Sequence, residues 1–344
     1  MSAAPGPAEL RRAVLARQLL LERSDLPLPR ALEAMGGLQA QYAPSMYVGL
    51  WSRLRALERG AVTRGLEDRT LVQGTLMRAT IHLVSREDYW PLALAVREPR
   101  RSWWHRADRG APAPAAMAQA AERVRAAMAD GPMTRKQVVE LIGAEATRGL
   151  HIWLDLVRVP PAGTWEKRRA DVWLDAERWL GPPPDLDADE ARAHLVRRHH
   201  GAFGPAAPAD VATWSGLTAG DLAGALERVA PERIVAADGA GLIDVAGAPR
   251  PPGDGAVPVR FLPTWDALLL VHVRRTGILP EEHRPAIFSI RNPHSHPVVL
   301  VGGVVSGTWR FERGAVRVTP LAPLTARVRR AVDAEAARLA AFHA

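Results

Sequence analysis

The sequence predicts an α+β fold made of three tandem winged helix-turn-helix modules, followed by a small C-terminal β unit and a terminal helix. Three times along the chain, segments with apolar residues at helical spacing precede a pair of short, extended segments. A proline- and glycine-rich linker, residues 247–255, then precedes a run of short apolar strands. The predicted units are residues 1–112, 113–182 and 183–250 for the modules and 251–344 for the C-terminal part.

The first module contains an interruption between its second and third helices. Gly36 and Gly37 end the second helix, and Pro44 disfavours the helical conformation of the residue before it. Ser45 is the predicted cap of the third helix. The predicted elements of this module are helices at 9–22, 28–35 and 46–57, a hairpin wing at 70–77 and 80–84, and a helix at 86–96.

The same pattern returns twice and is followed by the C-terminal unit. Thr134 and Thr218 are the predicted caps of helices in the second and third modules. The predicted elements are helices at 115–129, 134–142 and 147–157 with a wing within 159–175, helices at 190–199, 208–217 and 218–229 with a wing at 233–236 and 242–245, strands at 257–262, 298–305, 308–311 and 316–319, and a closing helix at 324–342.

The composition favours a polyanionic partner. The 344 residues include 45 basic and 37 acidic side chains, which gives a net charge of +8. Lys136 and Lys167 are the two lysines, so the other 43 basic residues are arginines, which bind phosphate bidentately. A weakly basic protein without such a partner is the alternative. The lack of cysteine excludes disulfides, thiol nucleophiles and zinc–thiolate sites.

The sequence contains neither a signal peptide nor an apolar run long enough to span a membrane. We therefore expect a cytoplasmic protein with no membrane partner.

Common catalytic signatures are missing from the chain. It has no phosphate-binding GxxxxGK[ST] loop, no GxSxG elbow and no HExxH metal motif. His294 and His296 are spaced to chelate a metal, but such histidines on a basic loop are more often polar surface. We therefore expect no metal and no organic cofactor. Three helix-turn-helix modules in a basic chain predict DNA binding, with a protein-interaction scaffold as the alternative.

Two glutamines stand one residue apart in the stretch GGLQAQYAPSMYVGLW, residues 36–51. Side chains at this spacing point to the same side of an extended segment, whereas on an ideal helix they lie about 200° apart. Gln39 and Gln41 therefore form either a polar connection between helices or a pair of amides that act together.

Four segments in order along the chain carry a resemblance. They are GLQAQ (37–41), GTLMRATIHLVS (74–85), FLPTWDALLLVHVRRTGILPEEHR (261–284) and VVLVGGVVSGTWR (298–310). The chain resembles the AlkZ-like family of winged-helix DNA glycosylases over nearly its whole length. Its Gln-x-Gln motif is similar to that of the branch associated with bulky N7-alkylpurines, interstrand crosslinks and self-resistance to DNA-alkylating natural products.

The resemblance implies roles for particular residues. Gln39 and Gln41 are the expected catalytic pair, with Trp51 and Asp266 in support. Trp51 on a helix, like Trp103 and Trp104, is more often a core residue, and His82 fits a satisfied core histidine equally well. Ala267 and Leu268 replace an acidic residue and a tyrosine of the family pattern. The expected DNA-binding residues are Arg78, His82, Arg275, Arg291, Asn292, His294 and His296.

The chemistry of an N7-alkylated purine agrees with a site built from amides. The base already carries a positive charge, so it leaves without a general acid, and two neutral amides can orient the attacking water. Lys136 and Lys167 lie far from the motif in sequence, so we expect a monofunctional enzyme without a Schiff-base step. The expected partner is double-stranded DNA carrying alkylated purines, with no obligate protein partner. A non-catalytic DNA-binding protein or transcriptional regulator is the alternative function.

Overall fold

The computed structural model describes residues 4–271, 277–289 and 294–344. It confirms the predicted α+β class, with helices that lead into β-hairpins. The elements of the first module are, in order, α1 (Pro7–Arg17), α2 (Leu28–Met35), β1 (Leu38–Gln39), α3 (Ala43–Arg53), α4 (Arg59–Glu67), β2 (Leu71–Thr75), β3 (Ile81–Ser85) and α5 (Arg86–Ala107).

The start of α3 differs from the prediction, and the expected cap at Ser45 is wrong. Ser45 lies inside the helix, which begins at Ala43 with Pro44 in its first turn. Proline is tolerated there because the first N–H groups of a helix have no intrahelical acceptor. The sequence pattern also missed α4, and α5 continues to Ala107, well beyond its predicted end.

The second and third modules follow the predicted order. The hydroxyls of Thr134 and Thr218 accept hydrogen bonds from Gln137 N and Asp221 N, so both predicted caps are confirmed. The predicted helix at 147–157 ends at Trp153, and its last residues belong to a strand. The elements are α6 (Pro114–Ala127), β4 (Met133–Thr134), α7 (Arg135–Ile142), α8 (Ala144–Trp153), β5 (Leu156–Arg158), β6 (Val172–Asp175), α9 (Ala176–Leu180), α10 (Ala188–Phe203), α11 (Pro208–Ser215), α12 (Ala219–Val229), β7 (Glu232–Val235) and β8 (Gly241–Asp244).

The wings of the first two modules join into one sheet, in the order β1-β3-β2-β5-β6-β4. The junction between the modules is the pairing of Gly74 on β2 with Val157 on β5. On the other side of the first wing, β1 pairs with β3 so that Gln39 lies opposite His82. A Cβ atom at Gly74 would lie 2.4 Å from the Tyr89 ring, so this strand position requires glycine. The unit boundaries at residues 112, 182 and 250 stay a prediction.

The C-terminal unit contains a second antiparallel sheet, in the order β14-β13-β12-β9. The predicted strand at 298–305 is interrupted by Gly302 and Gly303, whose φ values of 59° and 79° turn the chain between two strands. The closing helix α15 buries Val332 and Leu339, and no described helix, α15 included, has the length and apolar content to cross a membrane. The elements are β9 (Arg260–Leu262), α13 (Ala267–Leu270), α14 (Arg284–Ile287), β10 (Phe288–Ser289), β11 (His294–Ser295), β12 (Val298–Val301), β13 (Val304–Glu312), β14 (Ala315–Pro320) and α15 (Ala326–His343).

Two buried ion pairs connect the first module to the rest of the chain. Arg17 on α1 donates to both carboxylate oxygens of Asp244 on β8, at 2.6 and 2.8 Å. Arg53 at the end of α3 donates to both oxygens of Asp266, at 2.9 Å each. All four side chains are fully buried, so removal of one partner would leave an uncompensated charge in the interior.

Candidate active site

The Gln39–Gln41 motif follows the edge of the first wing. Gly36 and Gly37 adopt φ values of 72° and 79°, which turn the chain from the end of α2 into β1. Gln39 completes β1, and the amide of Ala40 donates to the carbonyl of Ile81 at 2.7 Å. The interruption predicted between the second and third helices therefore begins with a short extended stretch, which ends at Gln39 and pairs with β3.

Both glutamine side chains are fixed by the first wing. The Oε1 atom of Gln39 accepts a hydrogen bond from Nη2 of Arg78 at 2.8 Å. The Oε1 atom of Gln41 accepts one from the backbone amide of Ile81, also at 2.8 Å. Gln39 is buried and Gln41 is exposed. Since an amide oxygen has two lone pairs, each carbonyl keeps the capacity to accept a second hydrogen bond.

Arg78 occupies the tip of the first wing and connects it to the third module. Its φ of 51° is unusual for a residue with a side chain. Nη1 donates to the carbonyl of Trp214 at the end of α11, while Nη2 donates to Gln39. Burial lowers the pKa of Arg78 to about 10, so the guanidinium remains charged at neutral pH.

His82 lies beneath the motif and is buried. Its Nδ1 is 3.0 Å from the carbonyl oxygen of Thr80. Burial lowers the pKa of His82 to about 3, with a further contribution from the positive charge of Arg78. The imidazole is therefore neutral and has 2% exposure, which favours the core interpretation over a contact with the DNA backbone.

The two residues expected in support both take part in packing. Trp51 lies with the guanidinium of Arg23 4.5 Å from its ring centroid and the ring of Phe342 at 6.0 Å. Its ring belongs to the core and is not presented to a base. The carboxylate of Asp266 pairs with Arg53 and also accepts from Leu268 N at 3.1 Å, which caps α13.

The remaining expected DNA contacts are only partly described. Arg275, Arg291 and Asn292 lie outside the described residues. His294 belongs to β11, and His296 is exposed just after it. The role of this segment stays a prediction. Ala267 and Leu268, where the chain departs from the family pattern, are both buried in hydrophobic clusters.

Sequence reasoning missed a contact between the motif and the second module. The wing loop, which we define as residues 159–171 between β5 and β6, extends across the first module. Within it, Arg168 Nη1 donates to the hydroxyl of Tyr42 at 3.0 Å, and Tyr42 directly follows Gln41. Lys167 is thus remote from the motif in sequence but lies on a loop that contacts Tyr42, the residue after the motif. The charged run EKRR at 166–169 indicates an exposed loop, but nothing in the sequence indicates its contact with Tyr42.

The arrangement provides two oriented, neutral amides on a rigid hairpin. The donors to their oxygens are an arginine and a backbone amide, so hydrogen bonding fixes the carbonyls without placing a carboxylate beside them. Over residues 4–271, 277–289 and 294–344, no group of three His, Cys, Asp or Glu side chains is placed to hold a metal ion. Such a site can bind and orient a water molecule.

Comparison with known proteins identifies the family of the chain. Residues 32–342 match the sequence model of a family described as DNA glycosylase AlkZ-like. The chain belongs to this family. It is a DNA glycosylase, and DNA is its substrate. The Streptomyces sahachiroi DNA glycosylase AlkZ has the same fold, with a TM-score of 0.82 and 20% sequence identity over 99% of this chain and 97% of that chain. No curated protein sequence matches the chain.

Proposed function

We propose that this glycosylase hydrolyses the N-glycosidic bond of bulky N7-alkylated purines, with Gln39 and Gln41 positioning the attacking water. The observation that carries the proposal is the attachment of both side-chain oxygens to the same hairpin, through Arg78 and the amide of Ile81. Two carbonyls held in this way can each accept one hydrogen from a single water. The oxygen of that water is then oriented toward the sugar carbon.

The absence of stronger catalytic groups suits this substrate. Alkylation at N7 makes the purine a cation, which leaves as a neutral base while positive charge develops on the deoxyribose. Neutral His82 and the hydrogen-bonded amides supply neither a general acid nor a full negative charge. Unmodified purines, which need protonation to leave, are therefore poor substrates.

The exposure of the motif supports a large lesion. Gln41 is exposed, and Tyr42 beside it has 41% of its surface accessible. A base joined to the opposite strand cannot be extruded into a deep pocket as in ordinary base flipping, whereas a site at the surface can act on it in place. We therefore include interstrand crosslinks among the proposed substrates.

The biological role follows from the substrate. Removal of such adducts serves DNA repair or self-resistance to a DNA-alkylating natural product. The enzyme would work where the chromosome lies, which agrees with the expected cytoplasmic location and association with a bacterial nucleoid. Family membership favours this role over the non-catalytic regulator that the sequence left open.

Substitution of the two glutamines tests the proposal. Gln39→Ala and Gln41→Ala should each lower the single-turnover rate of excision of an N7-alkylguanine by roughly 100-fold, because the water loses its orientation. Strand breaks after alkali treatment measure excision on labelled duplex DNA. Gln119→Ala, at an exposed position on α6, is the matched control and should retain the wild-type rate. Full activity in both motif variants would refute the mechanism.

We also propose that the enzyme is monofunctional and leaves an abasic site. A cationic leaving group needs only water, so no amine nucleophile is required. Lys167 is the lysine to examine, because its loop contacts Tyr42. Borohydride should trap no covalent protein–DNA adduct. An adduct that forms with the wild type and disappears in Lys167→Arg would instead reveal a Schiff-base step.

A further inference from the structure

The wing loop presents positive charge to solvent. Lys167, Arg168 and Arg169 are consecutive and exposed. Arg169 is partly compensated by Asp171, whose carboxylate lies 3.5 Å away. Within the part of the chain that the structure describes, Lys167 and Arg168 form no ion pair with a carboxylate. Glu166, also exposed, is the acidic side chain of the same turn.

The loop is held rigidly against the first module. The amide of Gly163 donates to the carbonyls of Lys167 and Arg169, at 2.8 and 3.0 Å. The side chain of Gln73 on β2 donates to the carbonyl of Gly163 at 2.9 Å. A Cβ atom at Gly163 would lie 2.5 Å from the Gln73 side chain, and its φ of 77° also favours glycine. The two cations therefore project from a preorganised turn.

A buried tryptophan of the wing loop packs against two helices and holds the loop in place. Trp165 packs edge-on against Tyr47 of α3, with ring centroids 5.6 Å apart, and against Phe342 of α15 at 5.8 Å. The guanidinium of Arg59 lies 5.1 Å from the Trp165 ring centroid. The wing loop is thus attached both to the helix that follows the motif and to the closing helix.

The charged turn lies directly beside the motif. Arg168 donates to the Tyr42 hydroxyl at 3.0 Å, and its guanidinium carbon is 6.0 Å from the centroid of that ring. Burial, with smaller contributions from the positive charges of Arg59 and Arg168, lowers the pKa of nearby His343 to about 4. Tyr42 follows Gln41 in the chain, so Arg168 contacts the residue next to the proposed water-binding pair.

We propose that Lys167 and Arg168 bind backbone phosphates of the DNA strand beside the damaged nucleotide, with Tyr42 holding Arg168 in position. The inference rests on the proposed function, because that function locates the damaged nucleotide at Gln39 and Gln41. Phosphate contacts fix the register of a strand without reading its bases. A contact from the second module would thereby hold the DNA strand on the enzyme while the glutamines of the first module act on the sugar.

The salt dependence of DNA binding tests this assignment. The double variant Lys167→Ala/Arg168→Ala is compared with Arg329→Ala/Arg330→Ala, which removes the same charge from exposed positions on α15. Fluorescence anisotropy would measure Kd for undamaged duplex and for duplex with a stable abasic-site analogue across a range of salt. Each lost phosphate contact makes the negative slope of log K against log salt shallower by about 0.9 and weakens binding roughly eightfold at 0.1 M salt.

We expect a slope that is less negative by about 1.8 in the wing-loop variant and a wild-type slope in the α15 control. The charge-retaining variant Lys167→Arg/Arg168→Lys should preserve the slope. An unchanged slope in the alanine variant, or an equal loss in the control, would overturn the proposal. These measurements need no excision, so a wild-type enzyme without activity would refute the proposed function and leave this result intact.

Single-turnover excision separates binding from chemistry. The alanine variant should need a higher enzyme concentration for half-maximal rate, while the rate at saturating enzyme stays near the wild-type value. A saturating rate that falls in proportion to affinity would instead assign Lys167 and Arg168 to the chemical step and contradict a role in phosphate binding.

Discussion

The two ends of helix α3 differ in the way they use charge. At the C-terminal end, Arg53 is buried and pairs with Asp266 through two hydrogen bonds of 2.9 Å. At the N-terminal end, Gln41 and Tyr42 are exposed and neutral. At the C-terminal end, a charged pair stabilises the fold. At the N-terminal end, where we propose that DNA binds, the side chains are neutral. The comparison implies that stability and activity can be changed separately.

The largest effect should come from the charged end. Asp266→Asn keeps the shape of the side chain but leaves Arg53 buried without a counter-charge, which costs about 3–5 kcal/mol of unfolding free energy. Denaturant unfolding of both proteins measures this loss. Asp25→Asn is the matched control, because Asp25 pairs with Arg55 at 3.0 Å on the exposed surface and should change stability little.

Equal stability of Asp266→Asn and the control would break the comparison, since burial would then make no difference to the ion pair. The variant also sharpens the proposal for the motif. Asparagine can still accept the cap hydrogen bond from Leu268. A loss of activity at a temperature where the variant is folded would therefore indicate that a structural change at Arg53 reaches the motif through α3.

A second prediction concerns pH and the neutral histidine beneath the motif. In the unfolded chain His82 binds a proton below about pH 6.5, whereas the folded protein resists protonation down to about pH 3. The contribution of neutral His82 to stability is therefore present above about pH 6.5 and is lost as the pH falls below it. This single group lowers the free energy of unfolding by up to about 1.4 kcal/mol for each pH unit of acidification.

The variant His82→Gln isolates that contribution. Its unfolding free energy should fall between pH 6 and pH 4 with a slope smaller than that of the wild type by about 1.4 kcal/mol per pH unit. Denaturant titrations at several pH values provide the slopes. Identical slopes of unfolding free energy against pH in the two proteins would mean that His82 titrates alike in the folded and unfolded states. The folded protein would then tolerate a protonated His82.

The smallest effect should be the change in the free energy of unfolding when the motif glutamines are substituted. Gln39→Ala removes an acceptor of the charged Arg78 guanidinium and should cost about 1.5–3 kcal/mol. Gln41→Ala should cost less, because water can replace the exposed side chain at the Ile81 amide. Both are measured by denaturant unfolding. A loss as large as that of Asp266→Asn would make the motif a structural element and remove the contrast between the two ends.

Sequence periodicity predicted the elements whose pattern is local. The helix at Leu28–Met35 and the caps at Thr134 and Thr218 depend on residues within one or two turns, and the structure confirms them. The error at Ser45 arose because Pro44 fits the first turn of a helix as well as the end of an irregular segment. Local rules did not distinguish these two positions.

Contacts between residues far apart in the chain could not be predicted from the sequence. The motif residues Gln39 and Gln41 came from a family resemblance, which carries no information about their hydrogen-bond donors. Arg78 could be proposed as a DNA contact from the same resemblance, but its bonds to Gln39 and Trp214 depend on how the hairpin packs against the third module. The contact between Tyr42 and Arg168 joins residues 126 positions apart, and no pattern of spacing indicates it.

The sheet shared by the first two wings has a consequence for the evolution of the chain. Gly74 on β2 pairs with Val157 on β5, so each module completes the other's strand edge. Recombination that replaced one module alone would expose an unpaired edge of the partner, which favours aggregation. We therefore expect the two modules to be replaced only together.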